Sequence, residues 1–222
     1  MALDRTVREA ILEAERLQAA LWRRPQDLEK AAQSIAALKG ERSFDAWVET
    51  LPFPLASILW RYNADSAPRD KEEHLLLFFE ATAYFATSLL LSALQSDQAF
   101  FAERRKELLK QPPNFQRVSF GQWVQFAARL AAFARNLLTG DRREFALSLF
   151  KTRRAEFVDA LTDPGLFSLL NRVAEYRNAW KGHGGIEGDA EAVRRLTILE
   201  TELTNFHKLF SSAFEDYVLL KP

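Results

Sequence analysis

The chain has 222 residues, of which 48% are hydrophobic, 27% charged and 12% aromatic; this globular composition excludes a disordered, collagen-like or low-complexity chain and fits one domain or two small ones. Thirty basic and thirty acidic residues cancel, which excludes a global positive field for nucleic acid and leaves only local patches for such contact. The absence of Cys and the presence of three His exclude disulfides, zinc-thiolate sites and thiol nucleophiles, and argue against a multi-His metal cluster. No metal or cofactor is expected, and a Cys-free chain fits a cytoplasmic location.

The chain opens on MALDRTVREAILEAERLQ, where recurring charges leave no apolar stretch for a signal peptide. Leu3, Val7, Ile11, Leu12, Leu17 and Leu21 share one helical stripe. Pro25 sits in the first turn of a second helix, to about Leu38, which Gly40 ends. Residues 1–42 are therefore expected to form an N-terminal helical appendage, and 43–222 the main bundle. Ser43 can cap a short helix through Trp47. The Leu51-Pro-Phe-Pro54 corner blocks helix, because proline has no backbone donor. A short helix is expected over about 55–62, then a loop over 63–69.

A long helix is predicted from about Asp70 to Gln95. Its Leu75–Leu94 stretch is long enough to span a membrane and carries one charge, Glu80. A mid-span carboxylate is costly in lipid, so the stretch reads as a central helix buried on nearly all sides of a bundle rather than as a lone span. A charged helix over about 98–110 follows, and Gln111-Pro-Pro-Asn114 stops it. Ser119 caps a helix through Leu138, with Trp123, Phe126, Ala127, Leu130, Phe133 and Leu137 along one side. Asp141 can cap 142–150, and a further helix covers about 153–161. Asp163-Pro164 opens a helix that faces Leu166, Leu169, Leu170 and Val173 inward and runs to about Trp180. Glycines at 182, 184, 185 and 188 break it, and a last helix runs from Asp189 to about Tyr217. It ends near the chain terminus, which fits a complete protein or a domain of a longer one. No alternating segment demands a strand, so the fold class is all-α.

Phosphate-binding glycine loops, HExxH and GxSxG are absent from the sequence. His74 reads as a surface or capping residue and His207 as a half-buried one. One segment stands apart: Tyr176-Arg-Asn-Ala-Trp-Lys-Gly-His-Gly-Gly-Ile186. It gathers Arg177, Asn178, Lys181 and His183 within seven residues. Arg177 and Lys181 share a helix face, and the glycine break lets His183 fold back towards Arg177. Such a set suits phosphodiester chemistry. Histidine exchanges a proton near neutral pH, arginine offers a planar fork for phosphate, and Asn178 can orient the imidazole. RNA would supply its own nucleophile, the 2′-hydroxyl. One His per chain lacks a separate acid and base, and a symmetric dimer would provide both. The same residues can instead satisfy the last carbonyls of a helix, with GHGG as a plain turn. Arg142, Arg143, Lys151, Arg153 and Arg154 form a locally basic stretch, interleaved with acids as a solvated face is.

Arg177-Asn178, four residues, then His183 resembles the R-x4-6-H motif of the HEPN superfamily, whose second position is often polar. The late position of the motif before a closing helix is similar too. Glu80 in Leu-Phe-Phe-Glu-Ala-Thr resembles the acidic residue of an earlier long helix in that family. The Leu-Pro-Phe-Pro-Leu corner and the Phe-Gly-Gln-Trp helix start resemble a bacterial HEPN-type subgroup, over about residues 50–218. The resemblance implies a HEPN-like helical bundle acting as a homodimeric, metal-independent endoribonuclease, as a toxin or antiviral defence effector. Its partners would be RNA and an antitoxin or a fused sensor or effector domain, with no membrane. Arg177 and His183 would be catalytic, Asn178 would support them, Glu80 would assist as a partner of Arg177, and Lys181 would assist as well. The tyrosine that follows the histidine by two in toxins regulated by nucleotidyltransferases is replaced by Gly185, so that regulation is not implied. The alternative is a catalytically inactive HEPN-like module for protein interaction or for nucleotide or RNA sensing.

Overall fold

A computed structural model describes residues 44–110, 118–182, 188–211 and 213–214, without the side chains of 181 and 182. The expected N-terminal helical pair, the Ser43 cap, the Gln111–Asn114 stop and His183 lie outside the described residues. By its internal contacts the chain divides into Met1–Glu49 and Thr50–Pro222. Residues 44–50 are helical. The second unit contains α1 (Phe53–Ala64), α2 (Pro68–Gln95), α3 (Gln98–Leu108), α4 (Phe120–Thr139), α5 (Arg143–Leu149), α6 (Glu156–Thr162), α7 (Pro164–Gly182) and α8 (Asp189–Phe210). Among the described residues there is no strand. The fold is all-α.

Proline sets two of the helix starts earlier than expected. Pro54 lies inside the first turn of α1, and Pro52 is its N-cap residue, accepting from the amides of Leu55 and Ala56 at 2.8 and 3.0 Å. Pro68 is the first residue of α2 rather than part of the preceding loop. In both places the missing N–H is one the first turn leaves unpaired anyway, so proline starts a helix where it would break the middle of one.

α2 is the central element and packs against α1, α4, α7 and α8. Its buried residues include Leu75, Phe78, Phe79, Ala83, Ala86 and Leu90, a stripe at helical spacing. Phe78 meets Phe206 of α8 edge to face, with ring centroids 5.2 Å apart. Burying one such ring stabilises the fold by roughly 1.5–3 kcal/mol. The expectation of burial on nearly all sides does not hold: Leu77 is 47% and Tyr84 55% exposed. One face of α2 is therefore open, although α2 is the helix long and apolar enough to cross a membrane among the described residues.

Ser119 caps α4 as the sequence indicates. Its hydroxyl accepts from the Gln122 amide at 3.3 Å, and the Gln122 side chain accepts from the Ser119 amide at 2.9 Å. This reciprocal box satisfies two donors that the helix start leaves open. The buried stripe of α4 is Phe120, Val124, Ala127, Ala131, Ala134 and Leu138, with Phe126 and Leu130 beside it. Trp123, Phe133 and Leu137, expected on the core side, are only half-buried. Alanines suit a close crossing between helices.

α5 has Arg142, not Asp141, at its N-cap, with no side-chain cap. α6 begins at Glu156, later than expected. Arg135 of α4 donates from Nε at 2.8 Å, and also from Nη2, to the carbonyl of Thr162 at the end of α6. Asp163 then turns the chain into α7: its Oδ1 accepts from the Gly165 amide at 2.6 Å. Leu166, Leu169, Leu170 and Val173 of α7 are all buried. α8 stops at Phe210, short of Tyr217.

Candidate functional site

The last two turns of α7 carry Tyr176, Arg177, Asn178 and Trp180. Arg177 reaches α2, where its Nη2 lies 3.1 Å from Oε2 of Glu80. Both side chains are partly open to solvent, at 24% and 30%. Glu80 touches one terminal nitrogen. A guanidinium has five N–H donors in a rigid fork, so a single carboxylate at Nη2 fixes its direction while leaving other donors to face a ligand. Asn178 is exposed, one residue further around the helix. Lys181 lies on α7, one turn beyond Arg177, and its side chain is outside the described residues. The structure thus joins Arg177 and Glu80, while Asn178 is exposed at the next position of α7 and is not brought into contact with them by any bond among the described residues.

Two aromatic pairs flank this ion pair. Tyr84, one turn along α2 from Glu80, meets Trp123 of α4 edge to face at 5.0 Å. Tyr176 and Trp180 stack at 5.7 Å with planes 11° apart. The Arg195 guanidinium of α8 lies 5.1 Å from the Trp180 ring centroid. Stacking on one side and a cation over the ring hold the end of α7 in place.

Arg195 is itself buried, at 7% exposure. Its Nε donates to Oε1 of Glu191 at 2.9 Å, and its Nη1 lies 3.8 Å from Oε1 of Glu72 on α2. Arg194 also donates to Glu191, at 2.7 and 2.8 Å. The two guanidiniums, Arg194 first, hold the Glu191 carboxyl at about 2, well below the usual carboxylate range. Further along α8, Glu202 takes a two-pronged bond from Arg172 of α7, at 2.9 and 2.8 Å. Charged bonds therefore tie α7 and α8 to each other and both helices to α2.

Sequence reasoning missed this supporting set. The signal was present: Arg195 and Glu202 stand in the stripe that also holds Leu196, Leu199, Leu203 and Phe206. A charge at a core position must have a partner. Among the described residues, no group of three or more His, Asp or Glu is placed to hold a metal ion. His74 sits at the start of α2 with its Nε2 2.6 Å from Asp65 Oδ2, away from the Arg177 site and in a local pair. His207 lies half-buried on α8, where burial pushes its imidazole down from the ordinary value.

No protein-family model, curated protein or solved structure matches this chain.

Proposed function

We propose that the chain is a metal-independent endoribonuclease of HEPN type, working as a homodimer in the cytoplasm as a toxin or antiviral defence effector. At this finer level its all-α bundle is HEPN-like. Arg177 and His183 are the catalytic pair, with Asn178 in support and Glu80 and Lys181 assisting. The observation that carries the reading is the Arg177 guanidinium, steadied at one nitrogen by Glu80 near the end of α7, shortly before His183 in the chain. An aimed but incompletely used guanidinium is what a phosphodiester group needs.

In this mechanism a ribose 2′-oxygen attacks the adjacent phosphorus and the 5′-oxygen leaves. One imidazole takes the proton from the 2′-hydroxyl, and His183 of the partner subunit gives one to the departing oxygen. Arg177 stabilises the added negative charge on the five-coordinate phosphorus. The products are a 2′,3′-cyclic phosphate and a 5′-hydroxyl, so no external nucleophile is consumed. An antitoxin or a fused sensor or effector domain would restrain the activity.

The test uses a single-stranded RNA and its fully 2′-O-methylated counterpart, each in excess chelator. The RNA is cleaved to cyclic-phosphate ends and the methylated strand persists. An intact RNA, or equal cleavage of both strands, overturns the proposal.

A second reading, a non-catalytic interaction module, is favoured by Phe53 and Trp60 on α1. Their rings meet edge on at 6.2 Å while 71% and 47% exposed. Exposed apolar rings of this size suit contact with another protein. A stable protein partner together with an RNA-inert sample would favour this second reading.

A further inference from the structure

A cavity of about 340 Å³ opens at the far end of α2. This lies in the lower part of the range of small-molecule pockets, roughly 300–1,000 Å³. Phe85, Leu89 and Ala93 of α2 line it, with Phe157 of α6 and Phe214 beyond α8. Phe214 is fixed as a wall: it stacks on Phe210 at 5.3 Å and meets Phe157 at 5.4 Å. Ser96 Oγ donates to the Leu149 carbonyl at 2.9 Å, so this polar group is used in joining α2 to α5. An apolar recess of this kind favours an apolar occupant over water.

The cavity also has one cation. Lys151 lines it and is exposed to solvent. It has φ 54°, the left-handed region, where no other non-glycine residue stands among the described residues. The cause is the closure of α5: the Lys151 amide donates to the Ser148 carbonyl at 3.1 Å and the Thr152 amide to that of Leu147 at 3.2 Å. This paired closure usually places glycine where Lys151 stands, because a β-carbon is strained there. The chain instead carries a solvent-exposed lysine among the residues that line the cavity, and among the described residues no acid forms an ion pair with it. Ser92 adds a hydroxyl to the lining.

We propose that this cavity binds a single-chain carboxylate amphiphile, with its alkyl tail among the phenylalanines and its carboxylate at Lys151. One compact ammonium matches one negative charge, whereas a phosphate dianion is better served by a guanidinium fork or a row of backbone amides. The site is separate from Arg177 and does not rest on the ribonuclease reading.

The experiment titrates the full chain with 11-(dansylamino)undecanoic acid, then displaces this probe with decanoate, 1-decanol or decyl phosphate. Leu89→Trp fills the cavity, and Lys151→Gly removes the ammonium while relieving the backbone, so its melting temperature is unchanged or higher. Decanoate displaces the probe about fivefold more strongly than decanol, the Lys151→Gly variant loses that margin, and Leu89→Trp loses probe binding. The proposal is overturned by an unresponsive wild-type chain, by equal displacement with acid and alcohol, or by undiminished preference for the acid in Lys151→Gly. Probe binding that survives in Leu89→Trp places the site elsewhere, and tighter binding of decyl phosphate rejects the carboxylate assignment.

Discussion

Glu80 of α2 and Arg177 of α7 stand far apart in the chain, yet their side chains meet at 3.1 Å. Both side chains keep some contact with water, so the pair's contribution to folding is modest. Partly exposed ion pairs contribute about 0–1 kcal/mol, because water already solvates both charges well. Its consequence is directional: Glu80 decides where the guanidinium points. Glu80→Gln is therefore expected to change urea-unfolding stability by less than about 1 kcal/mol and, on the proposed ribonuclease reading, to lower RNA cleavage roughly 10- to 100-fold, as small misplacements of a catalytic group do. Equal activity in Glu80→Gln and wild type would remove Glu80 from the mechanism.

Arg172 and Glu202 give the opposite balance. Glu202 is buried, so losing Arg172 leaves its carboxylate without its two-pronged donor. Arg172→Ala is expected to cost about 1–2 kcal/mol by urea denaturation. Breaking a fully buried pair costs about 3–5 kcal/mol, but the Arg172 side chain is 44% exposed and water partly replaces it. RNA cleavage per folded molecule is expected to stay unchanged, since Arg172 bonds Glu202 of α8 whereas Arg177 pairs with Glu80 of α2.

Two groups shape the pH dependence of stability. Burial lowers the His207 pKa, so the folded chain favours the neutral imidazole. The unfolded chain then binds more protons, and stability falls as pH drops below about 6.5, the unperturbed value. Glu191 acts at lower pH: with its pKa at about 2 in the fold against 4.5 unperturbed, its contribution is complete above 4.5 and is lost down to about 2. Thermal melts across pH 2–8 should lose the upper limb in His207→Gln and the lower one in Glu191→Gln.

The capping box of α4 gives a local test. Ser119→Ala is expected to cost about 1 kcal/mol in chemical denaturation, the usual effect of losing an N-cap hydroxyl. A change near zero would mean that tertiary packing alone sets the start of α4.

Much of the helical framework was legible in the residues, and the misreadings have definite causes. Ser119 with Gln122, and Asp163 with Pro164, announced their helices because capping is local chemistry. Pro54 and Pro68 misled because a proline reads as a stop until one knows that it stands in a first turn. The end of α8 was misplaced because spacing of four continues past it: Phe210 and Phe214 stack although the helix ends at Phe210. Hydropathy along α2 could not reveal that Leu77 and Tyr84 face outward, since it averages over the whole circumference. In the candidate site, Arg177 stood out by its neighbours in sequence. Its approach to Glu80 was reachable only through the HEPN resemblance, because no local spacing links α2 to α7. The Arg195 cluster is signalled only by charges standing within the apolar stripe of α8, and spacing along one helix does not name the partners they take on another.

The most direct measurement is the rate of RNA cleavage under single turnover, in excess chelator, for wild type beside Arg177→Ala and His183→Ala. The account predicts cleavage by wild type and a loss of at least about 100-fold in each variant, with melting temperatures preserved. An inert wild type, or cleavage that persists in both variants, would contradict it.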